Sequence, residues 1–197
     1  DGIATYYYTV TPHNSLGDGE KAVSNSVFIG SAFTTPYRQT FDTEDSLEGF
    51  TIINNETGRG WYWWHNTVQK FQAMASRFNL ENASDNWLIL PAIAFKASSK
   101  YALRFSARVF DTDSPEKFEV TIGRDATVSA QDKTLLKAVT IKNEDAKIYE
   151  IPFTVDTDGT RNIAFHCLSP VRAYYLIIDD VEVVETASAD GPAAVTD

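Results

Sequence analysis

The sequence predicts an all-β chain folded as an antiparallel β-sandwich, and three observations predict it. Short runs rich in Tyr, Phe, Val, Ile and Thr recur along the 197 residues, several of them alternating apolar with polar positions. Turn clusters separate them, as in Asn14-Ser15-Leu16-Gly17-Asp18-Gly19, Asn54-Asn55-Glu56-Thr57-Gly58 and Asp156-Thr157-Asp158-Gly159. No run of helical period lies between the strands, so the alternating helix–strand pattern of a parallel sheet is excluded. The best helix candidate, 127–133, is short.

The elements follow in order. Thr, Tyr and Val over 5–11, and Val, Phe and Ile over 22–29, predict two strands joined through the 14–19 turn as a hairpin. Next come 49–53, carrying Phe50, Ile52 and Ile53, then the aromatic run Trp61-Tyr62-Trp63-Trp64, then the apolar run 87–90. Longer strands are predicted over 101–110, 116–123, 135–141, 148–155 and 162–168, each bounded by polar turns. The last run, 174–184, has one odd member. Strand alternation places Tyr175, Ile177, Asp179, Val181 and Val183 on one face and Leu176, Ile178, Asp180, Glu182 and Val184 on the other. Asp179 is then a carboxylate aimed at a core, whereas Asp180 reaches water. A buried carboxylate needs N–H donors, a cationic partner or a metal ion.

Composition narrows the function. Hydrophobic residues make up 43% and aromatics 13%, enough for a substantial core. Net charge is −10, with Lys and Arg scattered singly, which argues against nucleic acid and against anionic membrane surfaces as partners. The single cysteine, Cys167, shares a face with Ile163 and Phe165, so a buried, inert thiol is favoured over a nucleophile. One cysteine allows no internal disulfide framework. No signal peptide or transmembrane run is visible, and the chain opens in mid-pattern, so any export signal would lie upstream.

Three landmarks carry a resemblance over about 36–185. They are Phe41-Asp42 with Leu47-Glu48-Gly49-Phe50, then Ser84-Asp85-Asn86-Trp87-Leu88-Ile89-Leu90-Pro91, then Leu176-Ile177-Ile178-Asp179-Asp180-Val181-Glu182-Val183. In this order they resemble the cleaved-adhesin, or choice-of-anchor J, modules, MAM-like jelly rolls of secreted and surface proteins of Bacteroidetes. The resemblance implies a jelly-roll sandwich over 32–187, a secreted or cell-surface setting, and a non-catalytic adhesion or binding module of a larger protein. Its implied partners are a glycan or a host or extracellular protein. Two other roles stay open: a carbohydrate-binding accessory module of a secreted hydrolase or protease, and a structural spacer. Residues 1–31 resemble the C-terminal hairpin of a fibronectin type III domain, and 188–197 reads as a linker and the start of a following domain. One departure stands out. Asn54-Asn55-Glu56-Thr57-Gly58-Arg59-Gly60 replaces the Asp-Gly-rich loop of many related modules, which puts a second ion site there in doubt.

Candidate site residues fall in two groups. Asp42 follows Phe41 at the start of the first jelly-roll strand and Asp179 lies in the last; first and last strands of a jelly roll commonly run side by side, so these carboxylates could meet around a structural calcium, which takes six to eight oxygens. The resemblance implies such a site, with Asp85 or Asn86 adding an oxygen. The alternative is that Asp179 accepts backbone N–H bonds or pairs with Arg38 or Arg172. In the aromatic run, Trp61 and Trp63 share one face and Tyr62 and Trp64 the other. One pair belongs to the core. Tyr62 and Trp64, with Asn66 and Gln69, form a candidate ligand-binding patch if theirs is the exposed face. For catalysis the residues are poor: His13, His65 and His166 are isolated, and the carboxylates of Asp111-Thr112-Asp113-Ser114-Pro115-Glu116 read as a solvated loop.

Overall fold

The computed structural model describes residues 4–6, 9–15, 17–20, 22–23, 27–29, 32–55 and 59–187. The expected domain start at 188–197 lies outside them. The chain begins with the predicted hairpin: Ala4–Tyr6 pairs antiparallel with Val27–Ile29, Thr9–Val10 with Ala22–Val23, and His13–Asn14 with Gly17–Asp18.

The remaining strands are β1 (Tyr37–Gln39), β2 (Thr51–Ile53), β3 (Gly60–Asn66), β4 (Phe71–Arg77), β5 (Asn86–Ile89), β6 (Ile93–Phe95), β7 (Lys100–Val109), β8 (Glu116–Gly123), β9 (Lys133–Ile141), β10 (Lys147–Phe153), β11 (Gly159–Cys167) and β12 (Tyr175–Ala187). They form two antiparallel sheets. The first runs β10-β7-β12-β4-β3, with β1 also on β12; the second runs β9-β8-β11-β5-β2, with β6 also on β11. The chain crosses repeatedly between them, giving an all-β jelly-roll sandwich. The opening strand β1 does lie against the last strand, through Gln39 opposite Val181 and Tyr37 opposite Val183.

The core lies between the sheets. Phe105, 1% exposed, stacks on Tyr149 at 5.0 Å and meets Phe165 edge-on at 4.9 Å. Each such buried side chain contributes roughly 1.5–3 kcal/mol over its exposed state. Strand β4 was not expected from its sequence, Phe-Gln-Ala-Met-Ala-Ser-Arg, because Ala has little strand preference. It forms because Met74 enters the core while Ala73 and Ala75 sit under large rings from neighbouring strands. The short strands β1 and β6 were also unexpected. The 127–133 helix is absent: Val128–Ala130 makes one 3-10 turn, and β9 begins at Lys133.

Strand β12 departs from simple alternation. Leu176 and Ile178 belong to the inter-sheet core, and so do Val181 and Val183, three and five residues after Ile178. A bulge produces this change of phase. Arg104 of β7 opposes Glu182, but Ser106 opposes Asp179, so β12 carries one extra residue, and Asp180 adopts φ 50° to absorb it. The expected single apolar face is therefore corrected. Tyr175 and Ile177 face outward, and Asp179 lies on their side of the sheet rather than with Val181 and Val183.

Candidate functional site

Alternation along β3 divides its aromatic run. Trp61 and Trp63 pack into the sandwich, where Trp61 Nε1 donates to the Asn86 carbonyl at 3.0 Å and Trp63 Nε1 to the Phe41 carbonyl at 2.7 Å. Tyr62 and Trp64 stand on the outer face of the same sheet, in a separate cluster with Phe71, Phe110 and Tyr175. Trp64 is its hub, with ring centroids 4.7 Å from Tyr175, 5.1 Å from Phe110 and 5.2 Å from Phe71. Beneath these rings β4 offers only methyl groups, with Ala73 opposite Trp64 and Ala75 opposite Tyr62. The five rings are all half-buried, so each keeps part of its surface open to solvent. Burial, and then the neighbouring Tyr175, push the Tyr62 phenol up, so it stays a protonated hydrogen-bonding group at neutral pH.

Guanidinium groups border this face. Arg108 lies 4.3 Å over the Phe71 ring; partial burial lowers its pKa, while Asp179 and Glu144 act to raise it. At the Tyr62 end, Asn54, Arg59, Gly60, Trp61, Tyr62 and Arg77 line a pocket of about 260 Å³. Arg59 and Arg77 sit 4.9 Å and 5.6 Å from the Phe78 ring. Asn66, an expected ligand contact, has a different task. It is 9% exposed, and its Oδ1 accepts the Val68 and Gln69 N–H groups at 3.0 and 2.9 Å, closing the β3–β4 hairpin.

Asp179 and Asp42 are near enough to repel. Burial pushes the Asp179 carboxyl up to about 7, and the charges of Asp180 and Asp42 add to it. The Asp180 N–H, donating at 2.8 Å, and the Arg108 charge oppose this rise. Arg38 approaches Asp180, at 3.9 Å, and the Arg172 N–H donates to the Asn79 carbonyl. Asp85 stands apart from that pair, immediately before β5 of the other sheet. It accepts Trp87 Nε1 at 3.0 Å and lies 2.7 Å from His166 Nε2, while Glu119 lies 2.9 Å from His166 Nδ1. The imidazole, 8% exposed, stacks on Trp87 at 3.7 Å. With both ring nitrogens engaged by carboxylates, His166 has none to offer a metal or a reacting proton. Asn86 is likewise occupied, its Oδ1 accepting the Asn55 N–H at 3.0 Å. Among the described residues no three His, Cys, Asp or Glu side chains gather as a metal-binding group.

Glu116 was missed as a buried acid. It is 1% exposed, accepts the Tyr174 N–H at 2.6 Å, and is pushed up to about 7 by burial against bonds from Ser169 and Tyr174. Its signal was available: Glu116 shares a face with Phe118 and Val120, both fully buried. Cys167 is buried, and burial raises its thiol pKa.

Solved structures share this architecture. A cleaved adhesin domain of Lys-gingipain from Porphyromonas gingivalis superposes with a TM-score of 0.63 at 18% identity, over 78% of this chain and 99% of that one. A second adhesin domain of the same protein gives 0.58 at 14%, over 75% and 96%. The CBM22-1 xylan-binding domain of Paenibacillus barcinonensis Xyn10C gives 0.54 at 10%, over 81% and 100%. What is shared is the fold. No family model matches the sequence, and no curated protein matches it. No helix among the described residues is long and apolar enough to cross a membrane.

Proposed function

We propose that this chain is a non-catalytic binding module of a secreted or surface protein, and that the outer face of the β3–β4–β12 sheet is its glycan-binding face. The observation that carries this reading is the cluster around Trp64. Rings that a soluble protein could bury between its sheets are instead left half-open on an outer face, edged by hydrogen-bonding phenols and guanidiniums. Sugar rings present flat C–H faces and hydroxyl rims, and such a surface matches both. The likeness in fold to an adhesin domain and to a xylan-binding domain supports the same class. The hairpin at 4–29 fits a piece of a preceding domain in the same protein.

The second element of the proposal is structural. Asp42 and Asp179, next to the pairing of β1 with β12, fit two of the carboxylates of a calcium site, the remaining oxygens coming from backbone and water. A divalent cation there offsets the burial, and the added repulsion, that raise Asp179, and ties the opening strand to the closing one. Asp85 has no part in it.

A glycan array probed with this chain tests the binding role. Saturable capture on at least one glycan, reversed by the same sugar in solution, is the expected result. Absence of capture across neutral and acidic glycans alike points to a spacer instead.

A further inference from the structure

The chain carries net charge −10 and eight arginines, yet three of them, Arg59, Arg77 and Arg108, border one aromatic face. Their situations differ. Arg104, elsewhere on the sheet, is held by Glu150 at 2.9 Å and Glu182 at 3.4 Å, and Arg108 feels Asp179 and Glu144. Arg77 has no carboxylate within ion-pairing distance among the described residues, and its buried Nε has no hydrogen-bond partner. It lines the 260 Å³ pocket beside Tyr62, and among the described residues no acidic side chain lines that pocket. Asn54, also in the lining, is already committed, trading hydrogen bonds with the Trp61 backbone at 2.8 and 3.2 Å. Arg77 thus brings to the pocket a guanidinium that no described carboxylate pairs.

We infer that this pocket receives the anionic group, carboxylate or sulfate, of an acidic sugar whose ring lies on the aromatic face at Tyr62. The inference rests on the binding-face reading and adds a charge preference to it. The physical reason is the fork of N–H groups on a guanidinium, which matches a planar carboxylate or an oxyanion in two parallel bonds. A neutral sugar hydroxyl satisfies the same donors singly and without charge assistance. An acidic protein repels polyanions at long range, so the preference has to be local and should weaken as salt rises.

The test is calorimetric titration of the full chain with five probes: oligogalacturonate, its methyl ester, a heparin oligosaccharide, xylohexaose and poly-glutamate. At least one anionic sugar is expected to bind roughly tenfold or more tightly than the ester and xylohexaose. Preference for oligogalacturonate alone assigns a carboxylate, and preference for heparin alone a sulfate. Arg77→Gln, which keeps an N–H donor and removes the charge, should bring the affinity for the anionic probe down to that for the neutral ones. Arg77→Lys, which keeps the charge and loses the fork, should erase most of the preference. In the wild-type chain the Arg77 Nε–H resonance should shift with the anionic probe and stay still with the ester, a readout that needs no variant. Equal affinity for acidic and neutral probes, with Arg77→Gln indifferent, overturns the inference and leaves the binding face standing. Binding of no sugar, or of poly-glutamate only, overturns both.

Discussion

Replacing Trp64 with alanine is expected to weaken glycan binding roughly thirtyfold or more while the chain stays folded, whereas replacing Trp61 is expected to destabilise the fold itself. The two residues are three apart in one short strand, but β3 turns them to opposite faces. Trp61 is 2% exposed, and its indole N–H reaches a buried carbonyl. Its loss leaves a cavity and an unpaired acceptor, for about 3–5 kcal/mol. Trp64 is half-buried, with three ring centroids within 5.2 Å, and its removal opens the face rather than the core. Its stability cost is about 1–2 kcal/mol, in line with partial burial of a large side chain. Its binding cost is about 2 kcal/mol or more, roughly thirtyfold, as for an aromatic anchor at the centre of a contact surface. Denaturant unfolding and array binding of both variants separate the roles. If Trp64→Ala unfolds the chain or binds unchanged, the hub is packing and the assignment of this face fails.

The second large effect is on stability, and it depends on pH and calcium together. Asp179 and Glu116 are both pushed up to about 7 by burial. Each keeps its proton in the folded chain at pH values where the unfolded chain has released it, so the folded state binds more protons. Stability from these groups is therefore full below about pH 4 and is lost as pH rises toward about 7, levelling off above. In EDTA the melting temperature should fall across that window. Asp179→Asn removes one part of the slope and Glu116→Gln the other. The proposed calcium acts in the opposite sense, since the site proposed for it is the ionised Asp179 and Asp42. At calcium a hundredfold above its dissociation constant, near neutral pH, the melting temperature should rise by about 5–10 °C, and the rise should shrink toward about pH 5. Asp179→Asn should remove the calcium effect. A melting temperature indifferent to EDTA at neutral pH contradicts the calcium site while leaving the proton effect intact.

These expectations show which features could be read in the chain. Trp61 and Tyr62 were separable because β3 is regular and alternation is a local rule. The same rule misled at Asp179 and Asp180. A bulge is a mismatch with a partner strand, here Arg104 to Ser106 of β7, and its only trace within β12 is an Asp that tolerates positive φ. Strand β4 escaped notice because Ala73 and Ala75 are strand residues only in the company of Tyr62, Trp64 and Tyr175, which arrive from β3 and β12. Asp85 looked like a ligand by its motif position. Its contacts with Trp87 and His166 depend on the pairing of β5 with β11, nearly eighty residues away along the chain. The pocket with Arg77 was invisible for a similar reason, since Asn54 and Arg77 meet only across the β3 edge.

The four tryptophans provide the most direct test of the binding face. Their indole N–H signals report separate places: Trp61 and Trp63 from inside the sandwich, Trp64 from the outer face of one sheet, and Trp87 from that of the other. Nitrogen–proton correlation spectra during titration with oligogalacturonate and xylohexaose should move the Trp64 signal with saturation and leave Trp87 in place. Movement of Trp87 alone, or of none of the four by either sugar, would contradict the assignment of the β3–β4–β12 face as the place where this protein binds.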